Sequence, residues 1–235
     1  MILRSPNQRS SRAKLAERGC LGEVSLPGRR RRTGFTLLEL LLVLTLMGIV
    51  AAIVAPATIQ VLQANRLTSC AVNLANQMNA ARMLSIRMNK PVEVRFYQYA
   101  DSQSASSAVG YRAYQIWLNG SPYQGVVRFE PGVVLSAVND SSGASWSSIL
   151  DPAQNLTGAN QPLPANFQIP GATNSSSAKY SSFQFRSNGS TNLSGNTQWT
   201  LTMLMEKDAA RTELPANFIT EVIDPLTGAV RTYRP

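Results

Sequence analysis

A long apolar run near the N-terminus limits what this chain can fold into. Within residues 35–57 the only charged side chain is Glu39, and four consecutive arginines at 29–32 come just before the run. The 23 residues would span about 34 Å as an α-helix, comparable with a hydrocarbon core of about 30 Å. The run is therefore long enough to cross a membrane once. The positive-inside rule predicts a cytoplasmic arginine-flanked end and a periplasmic location for the chain after Pro56.

A cleaved secretory signal peptide has the same order of charged and apolar residues and is the alternative interpretation. Its apolar core is usually only about 7 to 15 residues long and ends at small residues. Ala51-Ala52 and Ala55-Pro56-Ala57 imitate such an ending. Glu39 distinguishes a transmembrane helix from a signal peptide. A carboxylate deep in an apolar segment costs on the order of 2.5 to 3.5 kcal/mol, so it normally occurs where something compensates for it. We therefore expect a partner that compensates for this charge.

Residues 34–39, Gly-Phe-Thr-Leu-Leu-Glu, resemble the start of the type IV prepilin family, which includes the pseudopilins of type II secretion. The basic flank and the apolar run extend the resemblance. In that family a prepilin peptidase cuts after the glycine and methylates the new terminal amine. The resemblance implies that Gly34 marks the cut, that Phe35 becomes the N-methylated first residue, and that Glu39 pairs with a terminal amine in a filament. A buried carboxylate is tolerated when it meets a cation in a low dielectric, which agrees with this role.

The excess of basic residues is concentrated in the leader that this cut would remove. Residues 1–34 contain nine basic and two acidic residues, whereas residues 35–235 contain 13 basic and 11 acidic residues. The formal net charge of +9 would therefore fall to +2 in the mature chain. A nearly neutral chain gives no reason, by its total charge, to expect a nucleic-acid partner. The leader of 34 residues is long for the prepilin family.

Several classes of enzyme are excluded by composition. The chain has no histidine, which rules out Ser-His-Asp and Cys-His nucleophilic sites and argues against a zinc site of mixed ligands. No glycine-rich phosphate loop or metal-ligand cluster occurs. Four aspartates lie in loop-like contexts without a spacing that indicates a shared site: Asp101, Asp140, Asp151 and Asp224. We therefore predict a protein that is not an enzyme and that needs no cofactor and no metal.

The two cysteines show no recognisable ligand or redox spacing. Cys20 lies in the leader, so Cys70 would be the only cysteine of the mature chain. Leu67, Ala71 and Leu74 surround Cys70 at helical spacing, which favours a plain buried thiol over a reactive one.

Beyond Pro56 the pattern becomes amphipathic and predicts that the helix continues through residues 58–90. Apolar or small residues recur at the spacing of one buried helical face: Leu67, Cys70 or Ala71, Leu74, Met78, Ala81, Leu84 or Ser85, and Met88. We expect the helix to stop at Asn89-Lys90-Pro91, because the residue before a proline disfavours helical geometry. Pro56 should kink the helix or open it locally.

After Pro91 the periodicity changes to two residues, which predicts β-strands. The candidates are residues 92–97, 111–118, 126–129, 133–135, 183–186, 199–206, 218–223 and 230–233. Turn signals separate many of them: Asn119-Gly120, Pro131-Gly132, Asn188-Gly189 and Thr227-Gly228. Residues 136–182 are rich in Ser, Asn, Ala, Gly and Pro and are predicted to form long polar surface loops. The predicted fold is α+β, a long N-terminal helix packed on a mostly antiparallel sheet.

The predicted organisation has four parts: a leader at 1–34 that is removed, a transmembrane half-helix at 35–57, an amphipathic half-helix at 58–90 and a periplasmic β-rich domain at 91–235. Residues 74–82, 85–92 and 183–189 narrow the resemblance to the branch shared by the minor pseudopilin H of type II secretion and the FimT minor pilins. This resemblance implies a subunit of a secretion or pilus-like filament. Its partners would be a prepilin peptidase, other pilins and the lipid of the bacterial inner membrane.

The C-terminal residues support an alternative, a DNA-binding minor pilin that serves DNA uptake in natural transformation. Arg231 and Arg234 could contact phosphates, and Tyr233 could stack on bases. The plainer interpretation is an edge strand with solvated arginines. FimT-type DNA binders favour a closely spaced Gly-Arg-x-Arg, whereas Arg231 here stands three residues after Gly228.

Overall fold

The computed structural model of the chain describes residues 34–102, 108–137, 143, 145–154, 158–164, 167–174 and 177–235. Residues 1–33, nearly all of the predicted leader, lie outside the described residues, and so does Asp140. The chain divides into two compact units, Met1–Gly48 and Ile49–Pro235. In the first unit the described residues comprise a short N-terminal segment and the beginning of a helix.

One long α-helix, α1, runs over Leu37–Met88. Its N-terminal part is exposed on all sides at residues 37–54 and 58–62. Its C-terminal part buries one face, made of Leu67, Cys70, Ala71, Leu74, Met78, Ala81, Leu84 and Ser85. The helical spacing predicted this face, which is confirmed except for Met88, whose surface is 44% exposed. Met88 is the last helical residue, so the chain turns away there before the pattern completes another turn. The kink expected at Pro56 stays a prediction, and α1 is helical at that position.

Backbone hydrogen bonds end α1 where the sequence predicted. Asn89 adopts the left-handed conformation with a φ of 51°, which asparagine tolerates better than most residues. The Lys90 N–H then donates to the Ser85 carbonyl at 3.3 Å, and the Asn89 N–H donates to the Ile86 carbonyl at 3.3 Å. This pair of bonds is the Schellman motif, which satisfies carbonyls that a helix end would otherwise leave without partners. Pro91 follows and directs the chain into the first strand.

The strands found among the described residues form one sheet of ten strands, and every pairing within it is antiparallel. They are β1 (Val92–Ala100), β2 (Val109–Leu118), β3 (Ser121–Pro122), β4 (Val127–Arg128), β5 (Val133–Leu135), β6 (Gly158–Pro162), β7 (Lys179–Phe185), β8 (Trp199–Met205), β9 (Ile219–Ile223) and β10 (Val230–Tyr233). The order across the sheet is β10-β9-β8-β5-β2-β1-β7-β6, and β3 and β4 pair with β2. The predicted α+β fold is therefore confirmed.

Side chains cover both faces of this sheet. On one face, the buried side of α1 packs with alternate residues of the strands, including Val94, Phe96, Phe183 and Trp199, in one hydrophobic cluster. On the other face, a second cluster joins Tyr97, Tyr99 and Ala113 to Ile169 and Ala178 from the chain before β7. Alternation of side chains along a strand explains how β1 contributes to both clusters.

Residues 136–182 were predicted to form surface loops. This prediction is wrong for the residues of the stretch that are buried. Ile149 and Leu150 are 0% and 1% exposed and belong to the main cluster, and Ile169 and Ala178 belong to the second. Strand β6 also lies within the stretch, and β7 begins at Lys179. The few apolar residues there are too widely spaced to give a periodic signal, so the composition concealed them.

Serine hydroxyls from the same stretch form hydrogen bonds with the part of the β8 edge that does not pair with β5. The Thr202 N–H donates to the Ser147 hydroxyl at 2.9 Å, and the Thr200 N–H donates to the Ser148 hydroxyl at 2.8 Å. The Ser148 hydroxyl in turn donates to the Gln198 carbonyl at 2.9 Å. Side chains thus satisfy backbone groups for which no neighbouring strand is present, and a buried N–H without a partner would be costly.

Two turns meet closely beside α1. Gly228, with a φ of 67°, lies so near Gly189 that a Cβ at position 228 would overlap the Gly189 carbonyl oxygen. That carbonyl accepts a hydrogen bond from Arg82 Nε at 3.2 Å. The Thr191 N–H also donates to the Pro225 carbonyl at 2.9 Å. The turn after β7, the turn between β9 and β10, and α1 are therefore joined at this point.

Gly228→Ala should destabilise the chain by about 1–3 kcal/mol, because alanine brings both a strained φ and a steric clash. For a chain of this size each kcal/mol lowers Tm by about 2–4 °C. Gly195→Ala is the matched control, since the nearest atom to its Cβ would be 4.0 Å away. Thermal unfolding in detergent compares the two variants. Equal Tm values would contradict the close approach.

Candidate processing and assembly site

The residues at the expected cut, Gly34 and Phe35, lie outside regular secondary structure and ahead of α1. Phe35 is 78% exposed. Among the described residues, a Cβ added at Gly34 would meet nothing within 4 Å. The described fold therefore gives no reason of its own for glycine at this position. A requirement for Gly34 would come from a protein that binds this segment.

Thr36 is the N-cap of α1, a role that the sequence analysis missed. Its side-chain oxygen accepts a hydrogen bond from the Glu39 N–H at 3.2 Å, and its carbonyl accepts one from the Leu40 N–H at 3.1 Å. Threonine is among the preferred N-cap residues because its oxygen satisfies an otherwise unbonded N–H. The signal was present in the sequence, since Thr-x-x-Glu before an apolar run is the spacing of a capping box.

Glu39 lies in the exposed first turn of α1. A negative charge in the first turn interacts favourably with the helix dipole. The ion pairs found in the described part of the chain involve other residues, so none of them compensates for the Glu39 carboxylate. Its neighbours Leu38, Leu40 and Leu42 are exposed apolar side chains.

Other polar groups of the apolar stretch are satisfied inside the helix itself. The hydroxyl of Thr45 donates to the Leu42 carbonyl at 2.8 Å, and that of Thr58 donates to the Val54 carbonyl at 2.9 Å. Such bonds let threonine enter an apolar medium at low cost. Among the described residues, α1 is the one helix long and apolar enough to cross a membrane, judged by length and composition.

Residues 29–55 match the family model described as the prokaryotic N-terminal methylation motif. No curated protein and no solved structure matches the chain. The motif supports a type IV pilin-like substrate of prepilin peptidase that is anchored in a membrane and assembles with other pilins. Chains with this motif are structural subunits. The segments that suggested the narrower branch, 74–82, 85–92 and 183–189, lie outside the matched residues.

The C-terminal residues of the DNA-binding alternative differ in their partners. Arg231 and Tyr233 are exposed on β10, on either side of Thr232, which lies opposite Glu221 and bonds to it. Arg234 is engaged elsewhere, since it donates to the Thr68 hydroxyl of α1 at 2.7 Å and to the Asn217 side chain at 3.5 Å.

The four aspartates singled out in the sequence are not brought into a shared site where they are described. Asp101 pairs with Arg128, and Asp151 is buried next to a short 3-10 helix. Asp224 accepts hydrogen bonds from the Thr227 hydroxyl at 2.7 Å and the Leu226 N–H at 3.0 Å. These bonds, with a smaller contribution from the charge of Arg231, lower the pKa of Asp224.

Cys70 is a buried free thiol, as predicted. Its sulfur accepts a hydrogen bond from the Glu130 N–H at 3.2 Å. Burial raises the pKa of the thiol, which disfavours the thiolate, the reactive form.

Glu221 is a second carboxylate in an apolar environment, and the sequence analysis missed it. It alternates with Ile219 and Ile223 on the buried side of β9 and is 0% exposed. The Thr232 hydroxyl lies 2.9 Å from both carboxylate oxygens. Burial raises the pKa of Glu221, and the Thr232 hydrogen bond only partly opposes this effect.

Glu221 should make the domain less stable as the pH rises. The folded chain holds this proton to a higher pH than the unfolded chain, so stability falls as the pH rises from the ordinary value of about 4.5 through the raised pKa. Glu221→Gln should flatten this decline and stabilise the domain at neutral pH. Glu213→Gln, at an exposed position, is the control and should leave the slope unchanged. Urea unfolding between pH 4.5 and 7.5 measures both. A slope that survives Glu221→Gln would refute the assignment.

Proposed function

We propose that this chain is a minor pilin or pseudopilin subunit of a type II secretion or type IV pilus-like filament. The observation that carries the proposal is the methylation motif over residues 29–55, together with a helix that begins just after Gly34. Prepilin peptidase cuts between Gly34 and Phe35 and methylates the Phe35 amine. The mature subunit is held in the inner membrane by its apolar half-helix, with its domain in the periplasm, and then enters the filament.

The geometry around the cut supports processing. The Gly34-Phe35 peptide lies outside α1, and Phe35 is exposed. A peptidase can bind such a segment without first unwinding a helix. The open space around Gly34 also agrees with a glycine required by the enzyme's cleft.

The environment of Glu39 supports assembly through a partner subunit. A carboxylate among exposed leucines carries a desolvation cost in an apolar filament core, and a cation from another subunit would offset it. Cleavage creates such a cation, because Phe35 then carries a terminal amine. Pairing between Glu39 and the Phe35 amine of a neighbour would fix the axial register between adjacent helices. The rest of the exposed apolar surface would supply non-directional packing.

Glu39→Gln should leave membrane insertion and cleavage intact but should largely abolish incorporation into filaments, because it removes the charge and keeps the shape. Mass spectrometry of the native protein should find a mature chain that begins with N-methylated Phe35. Crosslinking or pull-down with the other pilins of the host measures incorporation.

Lys207→Gln is the matched control, since it also removes a charge, and its side chain bonds to Gln63 at an exposed site of the domain. This variant should assemble normally. Incorporation of Glu39→Gln at the wild-type level would contradict the assembly role. A native product that still carries its leader, or that starts at another residue, would contradict the proposal as a whole.

DNA binding is the second candidate, favoured by the exposed neighbours Arg231 and Tyr233 on the edge strand β10. An arginine and an aromatic ring on one strand can contact a phosphate and a base. Arg234 takes part less readily, because α1 already engages it. This function would be compatible with a place in a pilus.

If the chain binds DNA, Arg231→Ala should weaken binding more than Arg234→Ala. Retention of short DNA by the detergent-solubilised mature chain, measured in a gel shift at low salt, tests this ranking. Lys179→Ala, which removes an exposed cation at the start of β7, is the control for a general charge effect. An absence of retention at low salt would remove this candidate.

A further inference from the structure

We propose that Thr36 is a positioning residue for cleavage: its hydroxyl fixes the start of α1 at Leu37 and so keeps the Gly34-Phe35 peptide bond outside the helix. This inference rests on the proposed function, because it presupposes that a peptidase cuts this bond. It concerns a side chain whose contribution comes from its place just before the helix, separate from Gly34 and Glu39.

No proline near Thr36 prevents α1 from growing toward the N-terminus. Leu37, Leu38 and Leu40 are strong helix formers, and no proline interrupts residues 28–55. In an apolar medium a free N–H costs more than in water, so the helix end gains from any partner it finds. Extension by one or two residues is one way to supply such partners.

The hydrogen bonds of Thr36 supply partners for the N–H groups at the helix end without extending the helix. The Thr36 side-chain oxygen accepts the Glu39 N–H at 3.2 Å, and its carbonyl accepts the Leu40 N–H at 3.1 Å. An N-cap residue has non-helical backbone angles, so a threonine that caps at position 36 excludes itself from the helix. The helix then begins at Leu37.

A helix extended by two residues would involve the atoms that react. Each helical N–H bonds to the carbonyl four residues earlier, so the Leu38 N–H would bond to the Gly34 carbonyl. Hydrolysis adds water to that carbonyl carbon and breaks its bond to the Phe35 nitrogen, which leaves a carboxylate on Gly34 and an amine on Phe35. A carbonyl held in a helical hydrogen bond is shielded on one side and cannot turn toward the donors of an enzyme.

Replacement of the cap tests the inference in the full-length precursor, held in membrane vesicles and cut by purified prepilin peptidase. Thr36→Val removes the hydroxyl and keeps the shape, and it should lower kcat/KM about fivefold, the factor that corresponds to a typical N-cap loss of about 1 kcal/mol. Thr36→Ser and Thr36→Asn, which also cap helices, should restore the rate to within about twofold of wild type.

Two comparisons separate positioning from other roles. Thr45→Val removes a hydroxyl that donates to Leu42 inside the same helix, and its rate should equal that of wild type. Thr36→Asn separates capping from direct recognition, because asparagine caps a helix but does not have the shape of threonine.

Cleavage of Thr36→Val at the wild-type rate would overturn the inference. Slow cleavage of Thr36→Asn beside fast cleavage of Thr36→Ser would overturn it too, since the enzyme would then be recognising the hydroxyl itself. Both results leave the proposed function intact if the wild-type precursor is cut after Gly34. A wild-type precursor that is not cut after Gly34 would overturn both the inference and the proposed function.

Discussion

The carboxylate of Glu39 imposes the main physical constraint on the N-terminal part of this chain. It stands in the first turn of a helix whose neighbouring side chains are leucines, while the threonine hydroxyls at 45 and 58 find acceptors within the helix. A charge in such surroundings is costly unless a cation meets it. In the described part of the chain no ion pair supplies that cation. The proposed filament supplies it from the amine that cleavage creates on another subunit.

The C-terminal part of the same helix is constrained by its packing on the sheet. From Leu67 to Ser85 one side is buried by the sheet, and the Schellman motif at Asn89 ends the helix before the first strand. The paired glycines, Gly189 and Gly228, then join two turns of the sheet to Arg82 of the helix. The change from exposure on all sides to burial on one side therefore follows the change in the sequence from a uniformly apolar run to an amphipathic pattern.

Periodicity is clearest in β1 and β9, whose side chains largely alternate between buried and half-buried. Residues 133–135 and 230–233 were predicted with the bounds that β5 and β10 have, and Asn119-Gly120 forms the two-residue hairpin turn between β2 and β3 with φ values of 50° and 79°. Strand β6 was missed because glycine, asparagine and proline make up most of it. The burial of Ile149 and Leu150 was missed because a non-periodic segment reveals its contacts only when the sheet is assembled.

The amino-acid sequence by itself determined the proposed N-terminal site. The roles proposed for Gly34, Phe35, Thr36 and Glu39 depend on local spacing, because helix capping and membrane length depend only on neighbours along the chain. Tertiary structure alone decided the surroundings of Glu221 and Arg234. The Glu221 carboxylate is buried beside Thr232, and the Arg234 guanidinium donates a hydrogen bond to Thr68 of the helix. Contacts between residues far apart in the chain depend on the register of the strands and on the placement of the helix, which no local pattern specifies.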